Sequence, residues 1–305
     1  MSREVMARRP PSMLALVVVA TLLLSMGAST KTKVVYWQHV AHARVEAVNY
    51  LKQEFEKQNL DIEIIFEPLE WGAFFDKIVT ALATESGPDV FQMSVGEAER
   101  YIRSGLLQPI PWAVLTPEEA RQTYLPWTVE RLIYDGYVWG LPTDIQSIML
   151  FCNDELFAQA GLPDRAPESW SDTIRIAQRL TRRDADGTKT QAGANLCCYS
   201  VALEDAFFKA QVPPMFNESG EAIFNSPSAV KALRYLTDFV VTYDTQGLSW
   251  VSGQVGMVNG HPTAMGDWQR IYPDLSFRAV LGPPVEPGGP QTTAGTHWEY
   301  FIAKK

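Results

Sequence analysis

Short apolar strands alternate with amphipathic helices over the first third of the chain, and this alternation constrains the fold more than any other feature. Val34–Trp37 reads as a strand. His42–Gln58 reads as a helix with Val45, Val48 and Phe55 on one face. Asp61–Phe66 alternates Ile62, Ile64 and Phe66, the two-residue period of a strand. Trp71–Ala83 aligns Phe74, Ile78 and Leu82, with Phe75 and Val79 beside them. Gly87-Pro88 breaks that helix, and Asp89–Met93 follows as a third strand. Gly96–Ser104 is a third helix, closed by Gly105. The pattern predicts an α/β lobe built on a mainly parallel sheet. In such sheets ligands lie beyond the carboxyl ends of the strands.

The stretch Trp139–Thr181 predicts a second lobe. Polar residues Thr143, Asp144, Gln146 and Ser147 stand directly before an apolar strand, Ile148–Cys152. Two helices follow. Ser169 caps the second, with Asp172 three residues on, and Trp170, Ile174, Ala177 and Leu180 form its buried face. A chain that crosses between lobes and keeps a polar cleft at the crossing has this texture. Beyond it, Asp184-Ala185-Asp186-Gly187 starts like a calcium loop. It lacks the glycine and distal glutamate such a loop needs, and reads as a hairpin turn. Ser226-Pro227 opens a helix with Val230, Leu233, Thr237 and Val240 on one stripe. Gly282–Gly295 is a Pro- and Gly-rich loop, and Trp298–Ala303 a final strand.

The first residues read as a targeting segment. Arg3, Arg8 and Arg9 precede an apolar run, Met13–Met26, too short for a comfortable membrane span. Small residues follow, and cleavage after Ser29 fits best; a retained anchor is the rival. No cysteine lies there, so the segment is not a lipoprotein signal. The net charge of −9 becomes more negative when three arginines and one glutamate are removed, which leaves no electrostatic reason to bind nucleic acid. Cys152 reads as a small core residue. Cys197 and Cys198 are unsuited to bridging each other, and a bridge from Cys152 to either stays open.

Catalytic motifs are sparse. His39 and His42 lack a metal frame, there is no nucleophile elbow, and no phosphate-cradling glycine loop is present. Paired carboxylates for glycoside hydrolysis stay open, because their separation is invisible in a sequence. Tryptophan, by contrast, is abundant: there are nine, and Trp37, Trp71, Trp268 and Trp298 sit beside polar residues at strand ends. A sugar ring offers an apolar face to an indole and a rim of hydroxyls to carboxylates and amides. Trp112, Trp127, Trp139, Trp170 and Trp250 are assigned to packing.

Several blocks occur in a specific order. They are Val34–His39, Gly87–Phe91, Ser104–Pro109, Trp139–Ser147, Ala222–Pro227, Val255–Trp268 and Trp298–Ala303. Together they resemble the extracellular solute-binding family that includes maltose-binding protein, the sugar receptors of ABC importers. The resemblance implies a two-lobed α/β periplasmic-binding-protein fold (type II) with the ligand cleft between lobes. Residues 1–29 would be the signal peptide, 30–143 the N-terminal lobe, 144–297 an incomplete C-terminal lobe and 298–305 the return crossing. Relatives run on after that crossing, so the C-terminal part of the fold is expected to be missing. Trp37, Gln38, His39, Trp71, Met93, Ser94, Glu97, Asp144, Gln146, Trp268, Trp298 and Glu299 would contact ligand, with Asp144 and Glu97 as charged acceptors of hydroxyl hydrogen bonds. Lys33, Arg44, Arg100 and Arg270 form no cluster visible in the sequence, which disfavours a phosphorylated sugar. The implied protein is a periplasmic, non-catalytic monomer without cofactor or metal. It would bind a sugar or oligosaccharide by hinge closure and deliver it to the ABC permease. A receptor for a polyamine, glycerophosphodiester or peptide, a secreted carbohydrate-active enzyme, and a non-functional fragment are the alternatives.

Overall fold

The computed structural model describes residues 31–305 apart from residue 85 and residues 197–199. The predicted targeting segment and the Cys197-Cys198 pair lie outside the described residues. The alternating start comprises β1 (Thr32–His39), α1 (His42–Gln58), β2 (Ile62–Leu69), α2 (Trp71–Ala83), β3 (Val90–Ser94) and α3 (Val95–Arg103). Then come β4 (Leu107–Gln108), α4 (Pro117–Thr123), α5 (Pro126–Val129) and the small hairpin of β5 (Ile133–Tyr134) and β6 (Tyr137–Val138). β7 (Gly140–Ser147) leads out of this lobe. Beyond it lie β8 (Met149–Asn153), α6 (Asp154–Gln159), α7 (Trp170–Leu180), β9 (Arg182–Arg183), β10 (Lys189–Gln191), α8 (Ser200–Lys209), α9 (Pro227–Val241), β11 (Met257–Gly260), α10 (Ala264–Ile271) and β12 (Phe277–Leu281). β13 (Gly295–Ala303) returns to the first lobe.

The first sheet runs β2-β1-β3-β13, with β4 and β7 both on the far side of β13. β2, β1 and β3 are parallel, as the strand–helix alternation predicts, while β13 is antiparallel to β3, β4 and β7. β1 runs further than its apolar residues suggest. Its parallel ladder with β2 continues from Thr32↔Ile62 to His39↔Leu69, which makes Gln38 and His39 strand residues. The second sheet is the antiparallel trio β11-β8-β12.

Each sheet has its own core. Phe74, Ile78, Phe91, Met93, Tyr101, Leu107 and Phe301 fill the first. Leu150, Phe157, Trp170, Ile176, Leu180, Phe239 and Met257 fill the second, where Trp170 stacks on Tyr235 at 4.1 Å between ring centres. Two close approaches depend on glycine. A Cβ on Gly193 would lie 1.8 Å from the Ala177 carbonyl oxygen, and one on Gly140 would lie 2.6 Å from the Phe301 ring. Cys152 is buried in β8, and burial pushes its thiol up to about 12, as befits an inert core residue.

Local signals act as the residue types dictate. The Ser169 side chain accepts from the Asp172 N–H at 3.1 Å. The return bond goes one residue further back than a capping box requires: Asp172 accepts from the Glu168 N–H at 3.0 Å. Asp184 accepts from the Asp186 and Thr188 N–H groups and closes the turn between β9 and β10. Trp112 and Trp127 depart from their packing assignment. Both are about half exposed; Trp112 lies against Tyr137 and Trp127 against His297.

The crossing joins the lobes through paired strands. β7 and β13 pair from Gly140↔Phe301 to Ser147↔Gly295, with a bulge that opposes the Trp298–Glu299 step to Thr143. Just beyond, the Ile148 N–H donates to the Ala294 carbonyl at 3.2 Å. Asp205 of α8 accepts from the Ala294 N–H at 2.9 Å and the Thr293 hydroxyl at 3.0 Å, and is itself paired with buried Lys209 at 2.7 Å.

Phe301 connects the crossing to the first core through Phe91 and Gly140. Phe301→Ala is therefore expected to cost about 3–5 kcal/mol. Urea unfolding of the two proteins measures this, and a loss below about 1 kcal/mol contradicts the placement.

Candidate functional site

A cavity of about 460 Å³ lies at the crossing. His39, Ala41, Arg44, Trp71, Phe75, Ser94 and Trp298 line it from the first lobe. Gln146 and Thr296 come from the crossing strands, and Glu204, His261 and Thr263 from the second lobe. His39 and Ser94 end β1 and β3, Ala41 and Arg44 follow β1, and Trp71 and Phe75 lie in α2 after β2, all at the carboxyl ends of the parallel strands; Trp298 comes from β13.

One wall is aromatic. Trp71 is 54% exposed and Trp298 5% exposed, with their ring centres 5.8 Å apart in an edge-to-face arrangement. The His39 ring lies 4.3 Å from Trp298 and 5.1 Å from Trp71. Phe75 packs against Trp71 from behind at 5.2 Å.

The polar wall is a network centred on Arg44. Its Nη2 donates to Asp144 Oδ2. Its Nη1 donates to Gln92 Oε1 at 3.1 Å and lies 3.0 Å from His39 Nε2. Asp144 also accepts from the Thr143 hydroxyl at 2.9 Å and from Gln146 Nε2 at 3.2 Å. Burial and the adjacent Arg44 charge pull His39 down to about 4, so the imidazole is neutral at pH 7. Burial also lowers His261.

Of the residues expected from the sequence, the structure brings His39, Trp71, Ser94, Gln146 and Trp298 together on the cavity wall. Asp144 adjoins it through Arg44. The others lie elsewhere. Trp37 is buried in the first core with Lys77 over its ring, and Gln38 and Met93 are fully buried. Glu97 pairs with Arg100 at 2.6 Å on α3. Trp268 is turned into the second lobe, where Phe151, Phe277 and Trp250 surround it. Glu299 is 0% exposed and absent from the cavity lining. Sequence reasoning missed Phe75, Thr296, Glu204, His261 and Thr263 on the lining and, most consequentially, Arg44. Its one available signal was position, in the first turn of the helix after β1.

Glu299 forms a second polar centre behind the crossing. His297 Nδ1 lies against its Oε1, and neither carboxyl oxygen has any other hydrogen-bond partner. Burial, with Asp144 adding repulsion against a small opposing effect of Arg131, raises Glu299 to about 9. Burial and Arg131 lower His297 to about 4. At neutral pH the carboxyl group is therefore protonated and the imidazole neutral.

Two α/β lobes, paired crossing strands and a polar cavity with an aromatic wall between them define the two-lobed binding-protein fold. Solved structures share the fold. An ABC substrate-binding protein from Listeria monocytogenes in complex with cycloalternan superposes with a TM-score of 0.74 at 22% identity, over 90% of this chain and 71% of that one. A protein solved with mannotriose bound gives 0.77 at 19%, over 90% and 74%. Residues 41–305 match the family described as bacterial extracellular solute-binding protein, and the chain belongs to that family. Its sequence is 22% identical to the arabinooligosaccharide-binding protein of Bacillus subtilis over 71% of this chain and 49% of that protein. It is 23% identical to the maltotriose-binding protein of Pyrococcus abyssi over 89% and 59%. The chain thus spans about half to three fifths of the length of these curated relatives. No helix among the described residues is long and apolar enough to cross a membrane.

A pH dependence follows from Glu299. Its folded value lies above its unfolded one, so between about pH 4.5 and 9 the folded state holds a proton that the unfolded state releases, and stability falls as pH rises. His297 acts oppositely, but only between about 4 and 6.5. The melting temperature is expected to decline from pH 7 to 9, and Glu299→Gln should flatten that decline. Equal slopes in the two proteins would show that Glu299 titrates normally.

Proposed function

We propose that the protein is the substrate-binding component of an ABC importer, and that it holds an uncharged sugar or oligosaccharide between its lobes. The observation that carries this reading is the cavity wall itself. An exposed indole, Trp71, faces a space bordered by hydrogen-bonding groups from both lobes. That is the pairing of flat apolar surface and polar rim that a pyranose needs. The first-lobe charges suit a neutral ligand: Arg44 is balanced by Asp144, and His39 is uncharged at neutral pH, while the acidic Glu204 across the cleft disfavours an anion. The relatives named for arabinooligosaccharide and maltotriose support the same ligand class.

The protein works without catalysis in this reading. Ligand binds the aromatic wall of the first lobe, and His261, Thr263 and Glu204 add contacts when the second lobe closes. Closure is favoured only by the difference in ligand affinity between the two states. The closed form is presented to the permease. Export to the periplasm by way of the N-terminal targeting segment completes the proposal, and the molecule acts as a monomer.

Trp71→Ala should weaken sugar binding at least tenfold, because one stacking face is removed, and should leave the melting temperature within about 2 °C, because the ring is half exposed. Titration calorimetry with the best ligand from a thermal-shift panel measures the first effect. The panel should hold mannobiose, mannotriose, maltotriose, spermidine and glycerol 3-phosphate. A ligand that binds only the folded state raises its melting temperature, and a shift confined to spermidine or glycerol 3-phosphate would refute the carbohydrate reading.

A further inference from the structure

We infer that Arg44 is the specificity-determining group of the cleft, presenting its free N–H donors to an uncharged ligand, and that Asp144 serves as its built-in counter-ion rather than as a ligand acceptor. The inference rests on the proposed cleft-binding role and adds which side chain decides the ligand's charge.

The geometry carries it. A guanidinium has five N–H donors in a fixed fork. One Nη2 donor of Arg44 goes to Asp144, and both Nη1 positions face His39 and Gln92. Nε–H and the second Nη2 donor remain, on a residue that lines the cavity. Asp144 is differently placed. Its Oδ2 receives Arg44 and Gln146 and is already taken by the protein, and its Oδ1 shares the single Thr143 hydroxyl proton with the Trp298 carbonyl. The side chains are 16% and 28% exposed, so their pairing is shielded without being sealed off.

His39 fixes the corner beside Arg44. His39 is 7% exposed and lines the cavity, and its Nδ1 has no partner among the protein groups. With Nε2 accepting from Arg44, the neutral ring carries its proton on Nδ1. The Nδ1 atom is itself buried away from the cavity space, so the donors open to a ligand at this corner are those of Arg44.

The pair also explains how the site would discriminate. Asp144 cancels the charge of Arg44, so a ligand carboxylate meets no net attraction and lies close to a like charge. An uncharged hydroxyl can use the free donors without disturbing the pair. Removal of the counter-charge should reverse that preference.

Binding of mannobiose, mannotriose, maltotriose and free glucuronate by calorimetry, in the wild-type protein and in Arg44→Met, Arg44→Lys and Asp144→Asn, tests this. Arg44→Met should lose at least tenfold in affinity for the preferred neutral sugar, and Arg44→Lys should recover part of it. Asp144→Asn should gain at least tenfold in glucuronate affinity over wild type. Circular dichroism confirms that each variant folds. Wild-type neutral-sugar affinity in Arg44→Met overturns the role of Arg44. A loss of sugar affinity in Asp144→Asn without any gain for glucuronate makes Asp144 a direct ligand acceptor and also overturns the inference. If wild type binds none of the three sugars, the carbohydrate reading fails, while the glucuronate arm still decides whether Asp144 neutralises Arg44.

Discussion

The ladder between β7 and β13 is the constraint on which the rest of the structure depends. The two strands are separated by the whole second lobe in sequence, yet they pair over Gly140–Ser147 and Gly295–Phe301. That pairing fixes how the second lobe hangs from the first. It brings Gln146 and Thr296 side by side at the cavity, and through β13 it sets Trp298 against the ends of β1 and β3. The bulge at Thr143 matters equally. One extra residue on β7 shifts its register against β13 and lets the Thr143 hydroxyl reach the Trp298 carbonyl at 2.9 Å. The cleft is therefore a product of strand pairing first and of side-chain chemistry second.

Much of the architecture was legible because it depends on short-range pattern. The helices His42–Gln58 and Trp71–Ala83, the caps at Ser169 and Ser226, and the crossing at Asp144–Ser147 each carry their signal within a few residues. Which face of a strand a residue occupies was not legible. Trp298 and Glu299 are neighbours; one lines the cavity and the other is buried behind it, since successive strand residues point to opposite faces. Met93 and Ser94 divide in the same way. Trp268 read as a ligand contact because Gly, Asp and Gln surround it, but the turn of α10 directs it to Phe151. Arg44 escaped notice because its partner Asp144 lies 100 residues away.

The first lobe and the crossing keep their charges in compensated form. Arg44 meets Asp144, His39 is neutral, and the carboxyl group of Glu299 holds its proton. A low-dielectric cleft that must exchange water for ligand gains from this arrangement. On the first-lobe wall no bare ion has to be desolvated when the water leaves.

The Asp205 bonds to Thr293 and Ala294 have a mechanical consequence. They fasten the returning chain to α8 just where it leaves the second lobe, and a single residue, Ile148, separates β7 from β8 on the outgoing chain. The freely deformable length at the crossing is therefore very small on both strands. Such short connections suit rotation of the lobes about an axle through Ile148 and Ala294 better than sliding. Gln146, His261 and Glu204 all stand near that axle: His261 bonds to the Ser147 backbone, and Glu204 adjoins the Asp205 that holds Ala294. A given turn sweeps distant groups through a longer arc than near ones. The cavity groups from both lobes that stand this close to the axle would move little in such a turn.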